Sequence, residues 1–140
     1  MMMLDAHLKK YGMKHCPIDT SINTLGRKYT LHILRNMILL KQDRFNQFLE
    51  SIEGINTKTL SIRLREMERE GLISRVVVSN RPKQTEYSVT EKGKMIEPIL
   101  EFLADFSMKY EPKVTFKDGK QRDFEAVFGS SIRLSSVYDY

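Results

Sequence analysis

The sequence predicts a mainly α-helical domain with one small β wing, and three observations carry that prediction. Apolar residues recur at helical spacing over much of residues 17–70 and again over 90–110. A single pair of β-branched, alternating segments, LISRVVVS and QTEYSVT, flanks the basic loop NRPK. Between the first helices and that pair lies GINTKTLSIRLREMEREG, Gly54 to Gly71, with a leucine stripe along one side and cations along the other.

Residues 1–15 read as a loose or helical arm. Cys16 then stands as N-cap ahead of Pro17, and Ile18, Ile22 and Leu25 follow at helical spacing up to Gly26. A helix from about Arg27 to Leu40 places Tyr29, Ile33, Met37 and Leu40 on one face, and a short helix from about Arg44 to Ser51 buries Phe45, Phe48 and Leu49. A turn containing Gly54 leads to the next helix. Its N-cap is Asn56, whose side chain can accept from an orphan backbone N–H, and its C′ residue is Gly71. Two strands follow, and then a long helix capped by Thr90 that runs to about Tyr110. Its apolar residues are Ile96, Ile99, Leu100, Leu103 and Phe106, with Pro98 expected to kink it. Residues 1–110 therefore read as one domain. Residues 111–140 form a C-terminal extension, in which Asp118-Gly119 suits the centre of a type I′ hairpin.

Helix, helix–turn–helix, strand, basic loop, strand, helix is the order of a winged helix–turn–helix. A major groove about 12 Å wide admits one helix, and a hairpin tip at Arg81-Pro82-Lys83 can reach an adjacent phosphate or the minor groove. Opposite Leu60, Leu64 and Met67 lie Lys58, Ile62, Arg65 and Arg69, with Thr59 and Ser61 at the edges. Lys58 and Arg65 can contact phosphates or donate to guanine, and Ile62 can touch a thymine methyl. The bland alternative is a solvated face. Yet Arg65–Arg69 and Glu66–Glu70 are repulsive i,i+4 pairs, which give an exposed helix no gain, and a solvated face seldom centres on an isoleucine.

The charge distribution agrees with a polyanionic partner. Of the net +5, residues 1–92 carry 16 Lys and Arg against 10 Asp and Glu, whereas residues 93–140 carry 7 against 8. No apolar run reaches the roughly 18 residues of a membrane span. The start, MMMLDAHLKKYGMKHC, lacks a signal peptide's apolar centre, so a cytoplasmic protein with no membrane association is expected. One cysteine excludes an intrachain disulfide. No P-loop, GxGxxG, GxSxG or HExxH occurs, so the chain does not read as an enzyme and no cofactor is implied.

Three stretches together, CPID…LGRKYTLHIL, RFNQFLESIEGINTKTLSIRLREMEREGLISR and TEYSVTEKGK, resemble the HxlR-type family of winged-helix transcription regulators over about residues 14–110. The resemblance implies homodimers that bind pseudo-palindromic operators in double-stranded DNA. It implies that the N-terminal segment and the long C-terminal helix form the dimer contact. It places the recognition positions on Asn56 to Arg65, which adds Asn56, Thr57 and Arg63 to the DNA-binding set, and the wing tip on Arg81 to Lys83. Tyr29 stands where the family usually has tryptophan, and Asn56-Thr57 replaces the usual serine-proline helix start.

Cys16 has two readings. Some members of the family use a cysteine here as a thiol switch, and a helix N-terminus with Lys14 and His15 nearby favours thiolate, although Asp19 opposes it. Otherwise it is a small apolar residue packed beside the dimer contact. A metal site from His7, His15, Cys16 and His32 matches no zinc spacing, and no metal is expected; His32 reads instead as a core-edge histidine. The extension either adds a hairpin to the dimer contact or lines a ligand pocket against the long helix, and nothing in it selects an effector. The competing reading of the whole chain is a winged-helix module that binds another protein and uses DNA little; it gains if Lys58, Arg65, Arg81 and Lys83 are buried or scattered.

Overall fold

The computed structural model describes residues 2–129. In chain order these form α1 (Met2–Lys10), α2 (Pro17–Leu25), α3 (Thr30–Ile38), α4 (Phe45–Ser51), α5 (Thr57–Arg69), β1 (Ile73–Asn80), β2 (Lys83–Val89), α6 (Glu91–Lys94), α7 (Glu97–Tyr110), α8 (Pro112–Thr115) and α9 (Phe124–Phe128). The helix–turn–helix is α4–α5, and β1 and β2 pair antiparallel as the wing. The chain is a winged helix–turn–helix, mainly α. Residues 130–140, the end of the predicted extension, lie outside the described residues. No helix among the described residues is long and apolar enough to cross a membrane.

One core holds the helix–turn–helix. Leu60, Leu64 and Met67 of α5 are buried against Ile33, Leu34 and Met37 of α3 and Phe48 of α4, as the stripe predicts. Asn56 caps α5, its Oδ1 accepting from the Thr59 N–H at 2.8 Å. At the other end the Gly71 N–H donates to the Glu68 carbonyl at 3.0 Å and the Leu72 N–H to that of Met67 at 2.9 Å. Gly71 holds φ +78, which makes this a Schellman ending. Its C″ residue Leu72 and then Ile73 turn straight into the core, so the wing leaves the domain at a fixed angle.

A polar knot sets α4 against α3. Asn36 is fully buried. Its Nδ2 donates to Gln42 Oε1 and Ser51 Oγ, each at 2.9 Å, and its Oδ1 accepts from Arg35 Nε at 2.9 Å. A buried amide this well satisfied fixes one geometry, because any other leaves it unpaired.

Three expectations need correction. The helix expected from Arg27 to Leu40 begins only at Thr30, because Tyr29 adopts the left-handed region at φ 77; Leu40 lies past its end and is exposed. The helix expected over residues 90–110 is two, α6 and α7. The chain turns at Met95 and Ile96, and Pro98 falls in the first turn of α7, where its missing N–H has no bond to make; it starts a helix rather than kinking one. On α2, at the helical spacing the sequence predicts, Leu25 packs partly against the core while Ile18 and Ile22 face outward. The expected hairpin at Asp118-Gly119 is absent from the described part of the extension, which instead forms α8, a turn and α9. A type I′ turn needs positive φ at both central residues, and only Gly119 has it. Asp118 is instead tied locally, accepting from Arg122 Nη2 at 2.5 Å and from the Lys120 N–H at 3.0 Å, bonds that hold its carboxyl down to about 2. The extension then packs back on α7, with Phe124 and Met108 buried and the Phe124 N–H donating to Asp105 Oδ1 at 2.9 Å.

Candidate nucleic-acid interface

The leucine stripe turns one side of α5 inward, and what remains outward is the predicted face. Lys58, Ile62, Arg65 and Arg69 are exposed, with Thr59 and Ser61 half-buried at its margins. Ile62 is 41% exposed. Lys58, Arg65 and Arg69 make no ion pair among the described residues, whereas the neighbouring arginines of the same region do. Asn56 and Thr57 stand at the exposed start of the helix, with the Asn56 side chain engaged as cap. At the wing, Asn80 pairs with Lys83, leaving Arg81-Pro82 as a two-residue tip, and Arg81 and Lys83 are both exposed.

Arg63 is not brought to that face. Three residues from Leu60, it lies beside the core, donates from Nε to the Lys28 carbonyl at 2.8 Å and pairs through Nη1 with Glu66 at 2.5 Å. Arg27 reaches the same corner, bonded to Glu70 and 3.6 Å from Glu66. These contacts dock the flank of α5 onto the start of α3. They also relieve the Glu66–Glu70 repulsion, a nonlocal effect that helical spacing cannot reveal.

The structure adds cationic and polar groups that sequence reasoning passed over. Arg75 and Tyr87 are direct cross-strand partners on the wing. They share a cleft with Arg65, Glu68 and Arg69 of α5. An adjoining cleft carries Arg44 and Asn46 at the start of α4 together with Lys83, Gln84 and Thr85 of β2. Phe45 and Tyr87 line both clefts, so Arg65, Arg69 and Arg75 in one cleft and Arg44 and Lys83 in the other share those two aromatic residues. Arg44 Nη2 donates to Glu86 Oε1 at 2.8 Å, tying α4 to the wing. The only signal in the sequence was period-two alternation, which puts residues 73, 75 and 77 on one face of a strand.

Cys16 is the N-cap residue of α2 and is half-buried, without a side-chain capping bond. It lines a cleft between α1 and α2 with Lys14, His15 and Asp19. Among the described residues no group of three or more His, Cys, Asp and Glu side chains could hold a metal ion. His32, expected at the core edge, is exposed and stands edge-on to Tyr29 at 5.7 Å.

Known proteins are similar to this chain in sequence and fold. The HTH-type transcriptional regulator YdeP of Bacillus subtilis (strain 168) is 35% identical over 99 residues, covering 71% of this chain and 77% of its own. A MarR-family transcriptional regulator from Porphyromonas gingivalis W83 superposes with a TM-score of 0.63 at 29% identity, over 69% of this chain and 93% of that one. The redox regulator HypR in its reduced form gives 0.64 at 28% identity, over 71% and 98%. The model of the HxlR-like helix-turn-helix family matches residues 24–115, so the chain belongs to that family and is a DNA-binding transcriptional regulator of the helix-turn-helix type.

Proposed function

We propose that the protein acts as a homodimer that binds a pseudo-palindromic operator in double-stranded DNA. In this reading Lys58, Ile62 and Arg65, with Asn56, Thr57, Thr59 and Ser61 beside them, face the major groove, and Arg81 and Lys83 contact the neighbouring backbone. The observation that carries the reading is the outward face of α5, where cations that form no ion pair among the described residues surround an exposed isoleucine. Arg63 is left out of the base-reading set because its donors are already engaged within the chain.

Two apolar faces support the dimer. On α7, Ile99, Leu103, Phe106 and Tyr110 are 40%, 47%, 61% and 64% exposed at helical spacing, while Leu100 and Met108 turn inward. On α2, Ile18 and Ile22 are likewise outward. A stripe of this kind left in water is a liability, and a second copy covers it. A two-fold pair would set two α5 helices about 34–36 Å apart, one per half-site.

Cys16 is the candidate input. A half-buried thiol at a helix start, with Lys14 and His15 in the same cleft, fits oxidant or electrophile sensing, and the similar protein HypR is a redox regulator.

The test is selection of bound fragments from the source genome, followed by titration of the recovered site against random duplex at fixed salt. Preference for a two-fold site by several orders of magnitude is expected. Equal affinity for all duplexes, or none, would instead favour a winged-helix module that binds a protein.

A further inference from the structure

The recognition helix and the wing do not meet flush. Between them lies a cleft of roughly 570 Å³, with the buried Leu64 beneath it and Arg65, Glu68, Arg69, Arg75 and Tyr87 around it. Resting on the DNA-binding reading above, we propose that this cleft holds one phosphodiester group of the DNA backbone, with Arg75 and Tyr87 as contact residues beside Arg65 and Arg69.

The placement follows from the strand register. Ile73 pairs with Val89 and is buried; Arg75 pairs with Tyr87; Val77 pairs with Thr85. Alternate residues share a face, so Arg75 and Tyr87 occupy the face of the sheet that meets the core. Tyr87 is partly buried against that core, while Arg75 beside it is exposed and reaches Glu68 on the outer flank of α5. The sheet therefore aims a guanidinium and a phenol at the gap between helix and wing.

The chemistry suits a phosphate. Three guanidinium groups face one carboxylate, an excess of two positive charges in a concave surface, which focuses the potential. Arginine matches the oxygens of a phosphate with paired N–H donors. Arg75 is paired to Glu68 Oε2 through Nε at 3.4 Å, which orients it and leaves its terminal NH2 groups for another acceptor. Tyr87 is held on two sides: its ring packs edge-on to Phe48 at 6.0 Å, and its N–H donates to the Asp43 carbonyl at 2.9 Å. Burial pushes its hydroxyl above the ordinary tyrosine range, so it remains a neutral O–H donor.

The shape argues for a polymer over a small anion. Arg65 and Arg69, along one wall, are exposed, so the cleft opens on the face that meets DNA. A helix in the major groove and a wing over the adjacent groove must straddle one strand. The cleft between them lies where that strand passes. The adjoining cleft with Arg44 and Lys83 continues the track beyond Phe45 and Tyr87.

Fluorescence anisotropy of the full-length protein with its selected operator and with random duplex, over a series of salt concentrations, tests this. Arg75→Ala should lower affinity for both duplexes about tenfold and reduce the salt slope by about one unit. Tyr87→Phe, which keeps the ring, should lower affinity less and leave the slope unchanged. Glu68→Gln should raise affinity for both duplexes, a gain that misfolding cannot produce. The inference fails if the wild type binds its operator while Arg75→Ala and Glu68→Gln both match it in affinity and slope. It also fails if inorganic phosphate at constant ionic strength binds the wild type and not Arg75→Ala while DNA affinity is the same for both; the cleft is then a small-anion site. A wild type that binds no duplex overturns the DNA-binding reading and this one together.

Discussion

The Thr90 hydroxyl lies 2.5 Å from the Gly71 carbonyl and accepts from the Gly93 N–H at 3.1 Å. One side chain thus closes the end of the recognition helix and caps the start of α6. Lys92 Nζ adds a bond to the Glu70 carbonyl at 2.6 Å. The base of α5 and the segment leading into α7 are therefore one rigid corner, and a shift of α7 would be passed to α5. Thr90→Val keeps the shape and removes both bonds. It should lower stability by about 1–3 kcal/mol, read as the urea midpoint, with oligomeric state unchanged. An unaltered midpoint would show that the corner is held by packing alone.

Gly93 and Gly54 separate two reasons for a glycine. A Cβ at Gly93 would lie 2.2 Å from the Leu72 carbonyl oxygen and 2.7 Å from Val89 Cγ1, so Gly93→Ala must push the corner apart. A loss of about 3 kcal/mol or more is expected. At Gly54 a Cβ would lie 3.2 Å from the Tyr29 hydroxyl, a side-chain end that must give slightly, but φ is +80, and Gly54→Ala should cost about 1–2 kcal/mol chiefly through backbone strain. Denaturant titrations that rank the two the other way would contradict this account.

Arg63 and Arg65 stand two positions apart and should behave oppositely. Arg65→Ala and Lys58→Ala should weaken operator binding by about 1–3 kcal/mol with little effect on folding. Arg63→Ala removes the bond to Lys28 and the pair with Glu66, so its loss should appear first in the thermal midpoint. The sequence could rank these residues only by helical angle. The leucine stripe, the Asn56 cap and the Gly71 ending are local, and they were legible. The Arg63 dock, the Asn36 knot and the Arg75–Tyr87 pair join residues far apart in the chain, and no spacing within one element encodes them. The extension misled for a related reason: Asp118-Gly119 carries a turn signal, but Arg122 and the packing of Phe124 on α7 decide which turn forms.

The proposed dimer would be built on the outward stripe of α7. Leu103→Glu or Phe106→Glu places a charge on a surface that is exposed in the single chain, so folding should survive. Light scattering should then show a dimer for the wild type and a monomer for either variant at micromolar concentrations, and operator affinity should fall because two half-sites are no longer held together. A dimer that persists in both variants would move the contact elsewhere.

Cys16 offers the sharpest test of regulation, because as the only cysteine it must carry every thiol effect. Its half-buried position at the start of α2 leaves the sulfur open to a small reagent, so it should alkylate in the native protein. The outward Ile18 and Ile22 follow directly on α2. If that face meets a second copy, an adduct on Cys16 or a bridge between two Cys16 thiols alters the angle at which the copies join. The recognition helices then change spacing without any change on the DNA face. Diamide or a quinone should therefore change operator affinity of the wild type and leave Cys16→Ser unaffected. A bridged pair should run at twice the mass on a non-reducing gel. If Cys16 resists alkylation in the native protein, and both proteins bind DNA alike with and without oxidant, the thiol is packing and the signal enters elsewhere.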